Sequence, residues 1–257
     1  MKKYIQIISD LHLEWQKKHF YNLPETETDK NTLLILLGDI GMLKYPNTYI
    51  PFLINCSKQF EQVLYIPGNH EYYGSDIKTA IQFGKNEILK TDLFNVFFGD
   101  NFIHKYNGIK FICSTLWTNM DNNNPFVILK AHQHSDFSKI KFDNRNLNPQ
   151  DYIDLHEKAI KFIIDSISIT EKTILITHYG VSFKSIHDAY IKDDLNALFV
   201  SELESLIKIG NFWKVFHGHN HYSINYKIND TQVICNPYGY AHLTPNPNFD
   251  PLLKFEL

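Results

Sequence analysis

Five short apolar runs punctuate the chain: Tyr4–Ile8 and residues 33–37, 63–66, 173–176 and 213–216. Each is nearly continuous rather than alternating, the pattern of strands covered on both faces of a sheet. Helical spacing lies between them. Ser75 can cap a helix running to about Leu89, with Ile77, Ile81 and Ile88 on one face. Asn148-Pro149 reads as a cap and first helical position, and Ile153, Ile160, Ile163, Ile164 and Ile167 continue the stripe. A third helix fits Leu198 to Ile209, with Gly210 as its stop. Strands alternating with helices predict an α/β fold. Two hairpins break the alternation. Asn107-Gly108 joins Phe102–Tyr106 to Ile109–Ser114, and Asn229-Asp230 joins Ile224–Ile228 to Thr231–Cys235. Antiparallel strands added to parallel ones predict a mixed sheet, or two sheets packed face to face.

Composition narrows the class. With 257 residues and no linker-like stretch, the chain is expected to form one domain over 1–257. Its net charge of −3 argues against a basic nucleic-acid binder and a polybasic membrane-surface protein. No apolar run approaches the roughly 20 residues that span a bilayer. The lysines at the start precede an apolar stretch too short for a signal peptide. Cys56, Cys113 and Cys235 are few, odd in number and far apart, so no disulfide framework is expected and a cytoplasmic setting is the simplest. The unusual figure is 13 histidines, since histidine is both the commonest metal ligand and the usual acid or base near neutral pH.

Polar residues follow all five apolar runs. They are Asp10-Leu11-His12, Gly38-Asp39-Ile40-Gly41, Gly68-Asn69-His70-Glu71 (after Pro67), Thr177-His178 and His217-Gly218-His219-Asn220-His221. Ligands of α/β sheets bind at the carboxyl ends of strands, so these ends predict one pocket rich in Asp, Asn and His. Singly, each signal is ambiguous. A Gly-Asp after a strand can be a turn, and His178 can be a hydrogen-bonded structural residue. Their recurrence at strand after strand carries the reading.

Asp-x-His, Gly-Asp, Gly-Asn-His-Glu, a later lone His and Gly-His-x-His, in this order from Asp10 to His221, resemble the calcineurin-like metallophosphoesterase superfamily. SDLHLEW, IPGNHEYY, STLW and CNPYGY are similar to a bacterial and phage branch of small members, which commonly has arginine where this chain has Tyr238. The resemblance implies two mixed β-sheets packed as a sandwich and flanked by helices. It implies two divalent metal ions: Asp10, His12 and His221 on the first, Asn69, His178 and His219 on the second, and Asp39 bridging them. His70 would stand over the metals and act on substrate, with Glu71 orienting it or its surroundings. His217 would support the ligands from behind or simply pack at the strand end. Imidazole, carboxylate and amide donors suit Mn²⁺, Fe²⁺ or Zn²⁺, and the lack of a cysteine ligand argues against a structural zinc site. Two such ions can clamp a phosphoryl group and activate a shared water for in-line attack. His70 would then stabilise the phosphoryl oxygens or protonate the leaving group.

Substrate signals are thinner. The second motif reads Gly-Asp-Ile-Gly-Met-Leu-Lys, without the arginine that protein phosphatases of this superfamily carry. A small phosphomonoester or phosphodiester, nucleotides included, is the expected substrate, with no stable nucleic-acid or membrane partner. Residues 119–146 are a candidate cap over the site and hold His132, His134, Asp136 and Arg145, the one arginine, which could grip phosphate. Tyr72, Tyr73 and Trp117 could stack a base. His19, His104, His156, His187 and His242 receive no role. Two rivals stay open: a metal-binding scaffold without catalysis, and another metal hydrolase such as an amidase, although no HExxH helix is present.

Overall fold

All five apolar runs are strands, and burial on both faces explains why they are continuous. A computed structural model describes residues 1–16 and 22–257; His19 lies outside them. Strands β1 (Tyr4–Ile8), β2 (Thr32–Leu37), β3 (Gln62–Ile66) and β4 (Val96–Phe98) run parallel in one sheet. The chain then makes the hairpin β5 (Phe102–Tyr106)–β6 (Ile109–Ser114) and a short ribbon, β7 (Lys141–Phe142) with β8 (Arg145–Asn146). Strands β9 (Thr173–Thr177), β10 (Lys214–His217), β11 (Ile224–Ile228) and β12 (Thr231–Cys235) follow. With β5 and β6 they form a second sheet in the order β11-β12-β10-β9-β6-β5. A second ribbon, β13 (Gly239–Tyr240) with β14 (Thr244–Pro245), precedes β15 (Lys254–Glu256), which returns to pair antiparallel with β1.

The two sheets pack face to face. Ile5, Ile7, Leu33, Ile35 and Leu64 meet Phe111, Ile174, Ile176, Phe216 and Ile234 across the inner layer. The alternate residues Leu34, Leu36, Leu175 and Val215 belong to the outer layers, which the helices cover. The expected sandwich with helices outside is therefore present, and both hairpins have the expected strand limits.

The helices depart from expectation at their ends. The first, Pro46–Gln59, was not anticipated: Pro51 sits inside it and obscures the spacing Tyr49, Phe52, Leu53 and Cys56 that it buries. The second spans Ile77–Leu89, and its cap is Asp76 rather than Ser75, because the Asp76 side chain accepts from the Lys78 N–H. Pro149–Ser166 begins at Asn148-Pro149 as expected, with Asn148 and Asp151 forming a reciprocal capping box. The last helix is only Glu204–Gly210. Residues 200–203 are drawn away from it because Ser201 N–H and Leu203 N–H donate to Gly180 and Val181 carbonyls in the loop after β9. All three cysteines are buried free thiols. Among the described residues no helix is long and apolar enough to cross a membrane.

Candidate metal centre

The carboxyl ends of β1, β2, β3, β9 and β10 converge where the two sheets meet. Donor atoms of Asp10, His12 and His221 lie within 4.8 Å of one another, as do those of His12, Asp39 and His70 and those of Asp39, His178 and His219. Asp39 is common to two of these groups, on the His12 side through Oδ2 (3.9 Å) and on the His178 side through Oδ1 (3.5 Å). The amide oxygen of Asn69 completes the second side, 3.2 Å from His178 Nε2. All of the ligand positions expected from the sequence are thus brought together.

The backbone is bent to achieve this. Asp10, His12, Asp39, His219 and His221 all have positive φ, between 46° and 69°. Such conformations are costly for residues with a Cβ and persist at functional sites where the surroundings enforce them. Gly68 leaves the space between: a Cβ there would collide with Asp39 Oδ1 and the His178 imidazole.

The donor chemistry fits a cation. His178 Nδ1 donates to the Leu37 carbonyl (2.7 Å), which leaves Nε2 as a lone pair facing the oxygens of Asn69 and Asp39. His12 Nε2 and His221 Nε2 face each other at 3.1 Å, and His221 Nε2 is 3.3 Å from Asp10 Oδ1. His219 Nε2 is buried with no hydrogen-bond partner among the described residues. Buried acceptors turned toward one another need a positive charge between them. Protons feel the same field: burial opposes it, yet the Asp39 carboxylate lifts His178 to about 9. Burial, and after it the neighbouring His178, push His219 well below its usual range, so it offers a free imidazole.

Residues expected from the sequence to have another task, or none, hold the candidate ligands in place. Glu14 Oε1 lies 3.0 Å from His70 Nδ1 and 3.4 Å from His12 Nδ1, and ties the two rings together. Tyr73 stacks on His70 with ring centres 4.1 Å apart. Asp136, fully buried, accepts from Asn69 Nδ2 (2.9 Å) and the Tyr73 hydroxyl (2.8 Å), and so turns the Asn69 oxygen toward His178. His134 stands 3.4 Å from the same carboxylate. Burial would raise Asp136; His134 and these donors hold it well below the usual carboxylate range. Glu14 is legible only after the fold brings it beside His70, although it lies within the SDLHLEW segment.

Other sequence expectations are decided between their alternatives or need correction. Glu71 serves the surroundings of His70 and not its ring. Its carboxylate accepts from the N–H groups of Asp39, Ile40, Gly41 and Gly68 and from the Tyr65 hydroxyl, so it fixes the loops that carry Asp39 and Asn69. Burial and Asp39 push it up to about 7, while those donors act in the opposite sense. His217 bonds to Ser185 Oγ (2.9 Å) and not to a ligand side chain. Arg145 grips no open pocket: it is half exposed and paired with Asp151 near the start of Pro149–Ser166. Tyr72 and Trp117 are core residues packed on each other, and Tyr238 packs on Phe249. Of the segment 119–146, His134 and Ser135 line the cavity beside the metal centre, whereas His132 is exposed.

A family model described as calcineurin-like phosphoesterase matches residues 4–223. The chain belongs to the calcineurin-like phosphoesterase family. The match covers every one of the converging strand ends. Among curated proteins, the uncharacterized protein L509 of Acanthamoeba polyphaga mimivirus is 26% identical over 281 residues, covering 98% of this chain and 96% of that protein. Solved structures share the fold. The phosphopantetheinyl hydrolase PptH of Mycobacterium tuberculosis superimposes with a TM-score of 0.68 at 12% identity, over 93% of this chain and 90% of that one. A dimetal phosphatase from Danio rerio gives 0.51 at 11% identity, over 91% and 86%.

Proposed function

We propose that this phosphoesterase is a binuclear enzyme that hydrolyses a small phosphomonoester or phosphodiester, nucleotides included. The observation that carries the reading is the buried cluster of carboxylate and imidazole groups shared through Asp39, with the His70 ring beside it. Asp10, His12 and His221 would hold one divalent ion, and Asn69, His178 and His219 the other; the donor set suits Mn²⁺, Fe²⁺ or Zn²⁺. When bound, such ions neutralise phosphoryl charge and lower the pKa of water. The chain's own residues do the rest. Asp39 sets the spacing between the two halves. His70, held by Glu14 through Nδ1, presents Nε2 as a donor to a phosphoryl oxygen or to the leaving oxygen. Burial disfavours its protonation, but Asp39 and Glu14 outweigh that and raise its pKa, which suits a donor near neutral pH.

Turnover of p-nitrophenyl phosphate and bis-p-nitrophenyl phosphate by Mn²⁺-loaded protein tests this. Hydrolysis of at least one is expected, and chelation should abolish it. His70→Asn should keep its metal and lose most turnover, roughly 10²–10⁴-fold. Fully metallated protein that hydrolyses neither ester would reject the reading in favour of the binding scaffold.

A further inference from the structure

The cavity above the metal centre encloses about 630 Å³, a volume suited to a ligand of nucleoside size. The proton- and metal-binding groups occupy one end. The opposite wall comes from the loop after β9 and from the residues after His221. Here the His187 ring lies on Tyr222, with centres 4.0 Å apart and planes 21° from parallel. The Tyr222 hydroxyl donates to the Tyr190 hydroxyl (3.3 Å). All three side chains line the cavity. Asn220 Nδ2 donates to the Ser185 carbonyl (2.7 Å) and so fastens the two wall segments to each other. Tyr222 adjoins His221, so the flat wall starts one residue from the metal centre. Asn196 and Asn246 add amide groups along it.

We infer that the substrate of this phosphoesterase carries a planar aromatic group, of nucleobase size, that extends the His187–Tyr222 stack while its phosphoryl group sits at the metal centre. Stacking on rings already packed in place costs little ordering, and flat faces accept any base. The proposal deepens the phosphoester reading and rests on it for the position of the phosphate.

Calorimetric titration of the Mn²⁺-loaded full chain with adenosine 5′-monophosphate and with ribose 5-phosphate tests it, because the two share their phosphoryl group and sugar. The nucleotide should bind at least about tenfold tighter (~1.4 kcal/mol). Tyr222→Leu and, separately, the exposed His187→Ala should each shrink that ratio, while Tyr222→Phe should keep it. Equal affinities, or a ratio that survives both removals, would overturn the proposal. Failure here is separable from failure of the catalytic reading. Active enzyme with equal affinities sinks only the stacking wall. Inactive metallated enzyme with the tenfold preference sinks only the hydrolysis.

Discussion

Asp136→Ala should separate the proposed metal ligand Asn69 from its orientation without touching Asn69 itself. Asp136 Oδ1 receives Asn69 Nδ2 at 2.9 Å and the Tyr73 hydroxyl at 2.8 Å. Tyr73 keeps a second partner, Ser135 Oγ at 2.7 Å, whereas Asn69 Nδ2 has no other acceptor among the described residues. The deletion thus strands one buried amide donor, which costs about 1–3 kcal/mol. Some of that strain is relieved if Asn69 rotates, and rotation presents its NH₂ to the site in place of its oxygen. Loss of a partner that orients a ligand typically lowers metal affinity by roughly 10–100-fold, about 1.4–2.8 kcal/mol, which agrees with the hydrogen-bond figure. Asp136→Asn is the control. Its Oδ1 can still accept from Asn69, and its NH₂ can donate to the nearby hydroxyls of Tyr152 and Tyr179. We expect Mn²⁺ titration by calorimetry to show weakened binding at one site in Asp136→Ala and under about threefold change in Asp136→Asn, with circular dichroism unchanged in both. Equal affinity in wild type and a well-folded Asp136→Ala would refute the assignment of Asn69 as a ligand held by Asp136.

Glu14→Gln should lower kcat by roughly 10–100-fold, because Glu14 sets the orientation of His70 and His12; steady-state kinetics on p-nitrophenyl phosphate with metal content measured in parallel would show an unchanged rate if Glu14 is a bystander. His217 gives a pH signature. Burial pushes it down to about 4 from 6.5, so the unfolded chain binds its proton first, and stability is lost as pH falls from about 6.5 toward 4. Between pH 6.5 and 5 that loss is about 2 kcal/mol. Urea unfolding in chelator should show it in the wild type and a smaller loss in a folded His217→Gln variant; identical slopes would exclude His217 as the source.

Much of this was legible in the sequence, for identifiable reasons. The strands were readable because continuous burial needs continuous apolar runs, and β2 shows it from Thr32 to Leu37. The candidate ligands were readable because each of the five converging strand ends leads within a few residues to Asp, Asn or His. What escaped were relations across the fold. Glu14 and Asp136 are ordinary acidic residues until tertiary packing places them beside His70 and Asn69. Arg145 drew attention as a lone arginine, but Asp151, six residues on, already neutralises it. Glu71 left two tasks open, and the fold chooses the second, since four loop N–H groups around His70 claim its carboxylate. The helix at Pro46–Gln59 escaped because Pro51 masks a good apolar face. Helix ends moved where tertiary pairing, as at Ser201 with Gly180, overrode local spacing.

The most direct test of the binuclear centre is the anomalous difference density of a crystal soaked in Mn²⁺. Two peaks should flank the Asp39 carboxylate, roughly 3.5–4 Å apart, one beside Asp10, His12 and His221 and the other beside Asn69, His178 and His219. A single peak, or peaks that leave Asp39 uncoordinated, would contradict it.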